Sequence, residues 1–373
     1  MKAIFLYSRI EKNLEESGEA KKAIMQVNAL SKLGIVSEII WHDRTDKFNK
    51  LLVRIPFYKN YSTGLTAHLI EKINNDREIC LLYIRKDYFL YSFLKMNKKI
   101  KNQTHINIMV EIPTYPYDAE WSKLKDLPLL LKDRLARKRL YKYVDKIALC
   151  APDENIIWKI PTLVIGNGID VDKINKKKIF SKDASTIKLL GVACVEKWHG
   201  YDRLIRGMAE YYKSDNKQRH IEFHIVGNGS QIPYLKRLTE KSNLNDYVFF
   251  HGTLYGKQLD SIFDECDIGV ASLAAFRKGI TIGRELKLRE YIARGLPYIY
   301  TNDDDIENIP YNCGIKLPRS EQAINVWNVI KFYDRMREEY DMRQLSDYLR
   351  QYAEDNLSWE KQMSPVVKWI MDK

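Results

Sequence analysis

The sequence predicts an α/β protein built from two doubly wound parallel-sheet domains. Short apolar segments alternate with amphipathic segments along most of the 373 residues, and this alternation starts afresh near residue 186. The chain is also longer than one hydrophobic core usually supports. Near-continuous apolar strands joined to helices by short connections are typical of parallel sheets covered on both faces.

The first domain is expected to span residues 1–165. It opens with the strand KAIFLYS, a helix over SGEAKKAIMQVNALSKLG and the strand VSEIIW, which together form a βαβ unit. Further strands are predicted at EICLLYI (78–84) and HINIMVE (105–111). They are followed by the turn-rich IPTYPYD, a basic helix and the short strands KIALCA and TLVIGNGID.

The second domain is expected to span residues 166–352. Its predicted strands are separated by helices and read TIKLLGVAC (186–194), IEFHIVGNG (221–229), YVFFHGTL (247–254), DIGVASL (267–273) and LPYIYT (296–301). The tail from about residue 321 reads as three helices. We expect residues 353–373 to form a helix that crosses back to the first domain.

Cysteine usage and hydropathy limit the class of protein. The five cysteines are widely spaced and include no C-x-x-C pair, so neither a disulfide framework nor a zinc site is indicated. The start, MKAIFLYSRI, is charged too early for a secretory signal, and no apolar run approaches the roughly 20 residues of a spanning helix. We therefore expect a cytoplasmic protein, either soluble or peripheral on the membrane.

The net charge of +12 is concentrated in the first domain, where residues 1–165 hold 29 Lys and Arg against 19 Asp and Glu. The densest segments are KMNKKIK (95–101) and LLLKDRLARKRLYKYVDK (129–146), the second with leucines at helical spacing. A solvated helix face over a core and a contact with an anionic membrane surface both explain this pattern. Nucleic-acid binding is a third interpretation, but no recognisable motif supports it, and we expect no nucleic-acid partner.

Open α/β sheets bind ligands at the carboxyl ends of their strands, so two such domains in tandem predict a site in a cleft between them. IVGNGS (225–230) places Gly227 and Gly229 at one such strand end. Glycines there let a nucleotide approach the backbone, although a plain tight turn is an alternative. Position 232 is Ile, so G-x-G-x-x-G is incomplete and a dinucleotide site is disfavoured.

Four ordered segments, VGNG, FFHGTL, IFDECDIGVAS and LREYIARGLPYI, resemble motifs of the retaining family-4 glycosyltransferases of the GT-B fold. VIGNGIDVDKI and GVACVEKWHGYDRLIRG extend the resemblance backward. EIPTYPYDAEW and KWHGYDRL are similar to a subgroup that builds bacterial capsular polysaccharides and exopolysaccharides. The resemblance implies two Rossmann-like domains facing across a cleft, the first binding the acceptor and the second the nucleotide sugar, with the C-terminal helices packing on the first.

The donor site implied by this resemblance centres on GITIGRELKLREYIARGLPYIY (279–300). A helix N-terminus at residues 284–287 would offer free N–H groups and the positive dipole end to a diphosphate, with Lys287 as the leading phosphate contact and Arg284 second. Gly279 and Gly283 would let the preceding loop close over the donor. Glu290 matches the second glutamate of the E-x7-E motif, which binds the ribose, or else forms an ion pair with Arg294. The first glutamate falls at Ile282, a departure from the family.

The family's basic pair near the first strand of this domain is also altered, because its positions fall at Cys194 and His199. Either Lys197 or His199 would reach the diphosphate, or Lys197 is a solvated loop residue. Base recognition is expected near Gly252–Leu254. The full predicted donor set is Gly18, His199, Gly227, Gly229, Gly252, Thr253, Leu254, Ile282, Gly283, Arg284, Leu286, Lys287 and Glu290.

In the first domain, Gly18 follows the loop SRIEKNLEES and either approaches the donor phosphate or caps a helix together with Ser17. The predicted acceptor residues are Arg85, Glu111 and Tyr115. Glu111 would orient or deprotonate the acceptor hydroxyl, or else pair with Arg85. The predicted catalytic residues are Glu111, Lys197 and Lys287.

The function that follows is transfer of a sugar from a nucleoside-diphosphate sugar, with a UDP-sugar favoured, to a glycan or lipid-diphosphate-linked acceptor in bacterial surface polysaccharide synthesis. The resemblance implies retention of configuration. No cofactor or metal is expected, because no Asp-x-Asp pair sits at a strand end to hold a divalent ion, and NDDDIE (302–307), which lies beyond the last strand of the donor domain, reads as a solvated turn. The alternatives are a sugar-nucleotide 2-epimerase of the same fold and a non-catalytic sugar-nucleotide-binding subunit.

Overall fold

The computed structural model describes residues 1–9, 18–43, 63–86, 89–118, 126–150, 154–180, 185–215, 217–280, 282–303, 306 and 309–373. The chain divides into two compact units. The first unit is Met1–Asn167 together with Trp359–Lys373, and the second is Gly168–Ser358. Each unit has its own sheet and its own core, in agreement with the predicted α/β class.

The first unit is built on a seven-stranded sheet. Its elements, in chain order, are β1 (Lys2–Arg9), α1 (Gly18–Lys32), β2 (Val36–Asp43), α2 (Thr63–Asn75), β3 (Ile79–Arg85), α3 (Tyr91–Gln103), β4 (Asn107–Ile112), α4 (Leu127–Arg137), β5 (Lys146–Leu149), β6 (Ile156–Ile157) and β7 (Ile160–Val164). The strand order is β2-β1-β3-β4-β5-β7-β6, and the pairs are parallel except for the antiparallel pair of β6 and β7.

Both faces of this sheet are buried, which explains why its strands are apolar without alternation. One face packs against α2 and α3, with Ile4, Leu82 and Phe93 in a single core cluster. The other face carries Phe5 and Met109 and packs against α1 and the C-terminal helix Trp359–Met371.

The second unit has a six-stranded, fully parallel sheet. Its elements are β8 (Thr186–Val192), α5 (Tyr201–Lys213), β9 (His220–Val226), α6 (Ile232–Lys241), β10 (Val248–Gly252), α7 (Gly256–Glu265), β11 (Ile268–Val270), α8 (Leu286–Arg294), β12 (Tyr298–Tyr300), β13 (Gly314–Lys316), α9 (Val326–Glu339) and α10 (Met342–Asn356). The strand order is β10-β9-β8-β11-β12-β13. The carboxyl ends of these strands therefore lie along one edge.

The returning helix α11 (Trp359–Met371) belongs to the first unit, so the C-terminal segment does pack back on it, as predicted. Trp359 and Met363 lie in the same core cluster as Phe5. The sequence placed the unit boundaries at residues 165 and 352, whereas the structure divides the chain after Asn167 and after Ser358. Residues 353–356 are the last turn of α10.

Candidate functional site

The start of α8 lies at the carboxyl edge of the second sheet. The helix begins at Leu286, which is exposed and lies within the predicted range 284–287, and Glu285 before it is extended and forms the N-cap. The segment before it is fixed by the sheet: the N–H of Gly283 donates to the carbonyl of Asp303 at 2.8 Å, and Ile282 bridges Asp303. The first N–H groups of a helix have no partner within the helix, so this end suits an anion.

Lys287 lies in the first turn of α8 with its side chain 13% exposed. Its Nζ is buried and has no hydrogen-bond partner in the part of the chain that the structure describes. The nearest opposite charge, Oε2 of Glu285, is 3.7 Å away. Burial lowers the pKa of Lys287 to about 8 against the opposing charge of Glu285. The result is a buried cation whose hydrogen bonds are open to a ligand.

His199 and Lys197 occupy the short turn Lys197–His199 that precedes α5. His199 is buried, and its Nδ1 accepts a hydrogen bond from the N–H of Glu196 at 2.9 Å. Burial, with a contribution from the charge of Lys287, lowers the pKa of His199 to about 2. A neutral His199 can therefore contribute only an Nε2–H donor. Lys197 and Cys194 are exposed.

Tyr201, the first residue of α5, is a site residue that the sequence did not reveal. The Nζ of Lys287 lies 5.8 Å from the centroid of its ring. Its buried hydroxyl has no hydrogen-bond partner in the described ranges, and the ring packs where a side chain on Gly191 would stand. Aromatic residues at helix starts are common in cores, so the sequence alone does not indicate that Tyr201 lies beside Lys287.

Glu290 forms the i,i+4 ion pair that the sequence offered as the alternative to a ribose contact. Its Oε1 accepts from Nε of Arg294 at 3.0 Å, while Nη1 of Arg294 reaches Oδ1 of Asp260 at 2.7 Å. The Glu290 side chain is nonetheless 26% exposed. A carboxylate has two acceptor oxygens, so the ion pair and a ribose contact can coexist.

The GNG turn serves the packing of two loops. Gly227 has φ 117° and Gly229 has φ 153°, and a β-carbon on either would collide with the backbone of Ala193 or Val195. We expected a nucleotide to approach the backbone at Gly227 and Gly229, but residues 193–195 occupy the space beside both glycines. Gly252 differs, because it has φ 66° with no heavy atom near its absent side chain. Thr253 beside it is exposed, and Leu254 is half-buried.

A set of arginine contacts fixes the loops around this edge. Arg203 is fully buried and donates to the backbone carbonyls of Leu273, Pro318 and Gln322. Arg277 donates to both carboxylate oxygens of Asp202, at 2.7 and 3.0 Å. These contacts join the start of α5 to the loops that follow β11 and β13, and so hold the carboxyl edge of the sheet in place.

NDDDIE does not behave as a uniformly solvated turn. Asp303 is exposed, but Asn302 is only 4% exposed. Asn302 lies two residues after β12, and Thr301 between them donates to the carbonyl of Ser272 at 3.0 Å. The run of acidic residues after Asn302 concealed its burial from sequence analysis.

Glu111 lies in a buried ion network at the carboxyl edge of the first sheet. Arg85 and Glu111 are register partners on β3 and β4, and their side chains are 3.2 Å apart. Nζ of Lys22 lies 3.0 Å from Glu111, and Gln26 and Tyr83 also donate to its carboxylate. Burial alone would raise the pKa of Glu111, but the charges of Lys22 and Arg85 lower it to about 2.

A fully buried carboxylate with four partners and a low pKa is poorly suited to deprotonate an acceptor. Of the two interpretations given for Glu111, the structure therefore favours the ion pair with Arg85. Gly18 is the first residue of α1, and residues 10–17 of its loop, Ser17 included, lie outside the described residues. Tyr115 is half-buried, with its ring 6.1 Å from that of Trp158.

Within the described ranges, no group of three or more His, Cys, Asp or Glu side chains is arranged to hold a metal ion. The five cysteines are free thiols. None of the helices described here is long and apolar enough to cross a membrane.

Two doubly wound units in one chain, with a C-terminal helix returning to the first, define the GT-B class of fold. Residues 186–324 match the family model of the group 1 glycosyl transferases. An uncharacterized glycosyltransferase of Methanocaldococcus jannaschii is 23% identical over 295 residues, which are 75% of this chain and 70% of that protein.

Two solved structures are similar over the whole chain. A glycosyltransferase from Rickettsia africae has a TM-score of 0.66 with 14% identity, covering 100% of this chain and 98% of that one. The Anabaena protein HepE in complex with UDP has a TM-score of 0.64 with 12% identity, covering 100% of both chains. The chain thus has the GT-B fold of these glycosyltransferases, and residues 186–324 match the group 1 glycosyl transferase family.

Proposed function

We propose that this protein transfers a sugar from a nucleoside-diphosphate sugar to a hydroxyl of a glycan or lipid-linked glycan, with retention of configuration and without a metal ion. The observation that carries the proposal is Lys287, a buried ammonium group without a hydrogen-bond partner among the described residues, at the start of α8. It lies inside the segment that matches the group 1 family.

The chemistry of the leaving group explains why such a lysine is useful. Breaking the bond between the sugar and the diphosphate places additional negative charge on the phosphate oxygens. Preorganised donors in a site with little water stabilise that charge strongly. Lys287 and the N–H groups of Leu286 and Lys287 would supply them, and contact with phosphate would raise the pKa of Lys287 and keep it charged.

Uridine is the base that we favour, because one structural neighbour is a complex with UDP. Glu290 would bind the ribose through its second carboxylate oxygen, and the open backbone around Gly252 leaves room for the base. Retention, and a place in bacterial surface polysaccharide synthesis, follow from the motif resemblance.

The acceptor is expected at or near a membrane surface. Leu127, Leu131 and Leu135 are exposed at successive turns of α4, and the exposed Lys138 and Arg139 follow them. A helix face of leucines flanked by basic residues suits the interface of an anionic leaflet. We therefore propose a peripheral association in which a lipid-diphosphate-linked glycan is presented to the first unit.

The test is incubation of the full chain with UDP-glucose, UDP-galactose, UDP-N-acetylglucosamine, GDP-mannose and ADP-glucose, with and without an undecaprenyl-diphosphate-linked sugar. Release of nucleoside diphosphate together with a glycosylated lipid supports the proposal, and the anomeric configuration of the product, read by NMR, tests retention. A reaction that persists in EDTA supports metal independence. Formation of an epimer would instead support a sugar-nucleotide 2-epimerase. Donor binding without turnover would support a non-catalytic sugar-nucleotide-binding subunit.

A further inference from the structure

Asn302 is a buried amide beside the carboxyl edge of the second sheet whose two polar atoms both lack hydrogen bonds in the described part of the chain. Neither its Oδ1 nor its Nδ2 has a partner in the described part of the chain, although the residue is 4% exposed. Buried polar groups are almost always hydrogen-bonded, and leaving an amide unpaired lowers stability. An unpaired amide at this edge therefore points to a partner that is not part of the protein.

The neighbours of Asn302 connect it to the phosphate-binding segment. A methyl group added to Gly283 would lie 3.4 Å from Nδ2 of Asn302 and 3.7 Å from Cγ of Glu285. Glu285 is in turn the ion-pair partner of Lys287. The amide of Asn302 and the ammonium of Lys287, both without a hydrogen-bond partner among the described residues, thus lie close to the same residue, Glu285.

The backbone around Asn302 is held firmly enough to position its side chain. Thr301 donates to the carbonyl of Ser272, and the carbonyl of Asp303 accepts from Gly283. An amide has two donor hydrogens and one acceptor oxygen, whereas a hydroxyl group both donates and accepts. Two sugar hydroxyls can pair with both the N–H groups and the oxygen of the amide. A phosphate offers only acceptors and would leave the amide oxygen unpaired.

We propose that Asn302 hydrogen-bonds hydroxyl groups of the donor sugar and sets which sugar is accepted. This inference rests on the proposed function of the same site. Ile282, on the segment that pairs with Asp303, has no polar side-chain atom with which to bind a sugar hydroxyl, so the neutral amide of Asn302 would make that contact. The diphosphate would remain with Lys287 and the N-terminus of α8.

The experiment compares UDP with intact UDP-sugars by calorimetry, using the full chain and the UDP-sugar that the wild type binds most tightly. In Asn302→Leu, which has a similar volume and no polar atoms, we expect UDP affinity within about twofold of wild type. The additional affinity conferred by the sugar should fall at least about tenfold, and the ratio of kcat/KM between UDP-glucose and UDP-galactose should approach one. The melting temperature of the ligand-free variant should rise, since an unpaired buried amide is removed.

Asn97→Leu is the matched control. Asn97 is also fully buried with an unpartnered Oδ1, but it lies on α3 of the first unit and donates to Phe93. Its replacement should leave the ratio of UDP-sugar to UDP affinity unchanged. An unchanged ratio in Asn302→Leu, or an equal loss for UDP and UDP-sugar, would overturn the role of Asn302 while leaving the proposed function in place. A wild type that binds no nucleotide overturns both.

Discussion

The ammonium nitrogen of Lys287 lies 3.7 Å from Oε2 of Glu285, an ion-pair distance that is too long for a hydrogen bond. The same carboxylate oxygen accepts the backbone N–H of Ser272 at 3.1 Å, which anchors Glu285 to the sheet edge. The carboxylate thus has a hydrogen-bond donor, whereas the ammonium has no acceptor among the described residues. A phosphate reaching Lys287 would meet a cation in a low-dielectric environment, where the attraction is stronger than at an exposed lysine.

The first prediction concerns the stability cost of Lys287. The pKa of Lys287 in the folded protein is about 8, below its ordinary value of 10.5. Below pH 8 the folded protein therefore bears the full cost of burying the charged lysine. Its stability rises as the pH increases from about 8 to 10.5, because the folded state then releases a proton that the unfolded state keeps. That difference corresponds to at most about 3 kcal/mol. We expect Lys287→Met to raise the free energy of unfolding at pH 7 by up to this amount, with the gain shrinking by pH 10.5.

The same variant should lose UDP affinity roughly tenfold to a hundredfold, because a charge-assisted hydrogen bond contributes about 1.5–3 kcal/mol. Denaturant titrations at pH 7 and pH 10, with calorimetry at pH 7, measure both effects. A Lys287→Met variant that is less stable at pH 7 and binds UDP normally would show that the lysine has a purely structural role.

The second prediction separates the ribose role of Glu290 from its ion pair with Arg294. Glu290→Ala should weaken UDP binding about tenfold or more and should abolish the difference in affinity between UDP and 2′-deoxy-UDP. Asp260→Asn is the control, because Asp260 is the other carboxylate bound to Arg294. Asp260→Asn should change stability slightly and leave the discrimination intact. Equal discrimination in wild type and Glu290→Ala would refute the ribose contact.

The third prediction uses two glycines with different surroundings. A β-carbon on Gly227 would collide with the carbonyl of Ala193, whereas one on Gly252 would enter open space. Gly252→Ala bears only the strain of a positive φ, about 1–2 kcal/mol, whereas Gly227→Ala adds a steric clash and should destabilise the protein by more than that. Urea unfolding of both variants checks the order. If Gly227→Ala is the milder change, the packing of this turn against residues 193–195 is not as described.

The sequence predicted features that depend on local pattern. The strand and helix alternation defined both units, and the spacing from Glu290 to Arg294 allowed the ion pair that forms. It could not predict burial set by distant segments: Lys22 meets Glu111 across 89 residues of chain, and Asn302 is buried although acidic residues follow it. Those contacts depend on which helix covers which strand, and no local spacing encodes that choice.

The fourth prediction follows from the ion network around Glu111. The pKa of Glu111 is lowered from 4.5 to about 2, so its contribution to stability is present above pH 4.5 and is lost as the pH falls through about 2. Glu111→Gln would leave Lys22 and Arg85 buried with a neutral partner and should destabilise the protein by about 3–5 kcal/mol. Denaturation at pH 7 and pH 3 should show a smaller gap between variant and wild type at pH 3. A variant as stable as wild type at pH 7 contradicts this account.

The last prediction concerns the leucines of α4. Each exposed leucine that enters an interface gains part of the roughly 1.5–3 kcal/mol of full burial, so replacing Leu131 and Leu135 by Asn should weaken binding to anionic vesicles at least about tenfold. Flotation with vesicles of 70% phosphatidylcholine and 30% phosphatidylglycerol measures the loss. Added salt should weaken binding of the wild type, because basic residues such as Lys138 and Arg139 contribute through charge.

Ile156→Asn provides the control for this surface, since Ile156 is 66% exposed and lies on β6 of the same unit. Vesicle binding should be unchanged in that variant, and UDP affinity should be unchanged in the Leu131, Leu135 and Ile156 variants, because the proposed donor site lies in the other unit. An equal loss in Ile156→Asn would mean that exposed apolar residues act without regard to position. Wild-type binding to neutral vesicles as strong as to anionic ones would contradict the electrostatic part of the association.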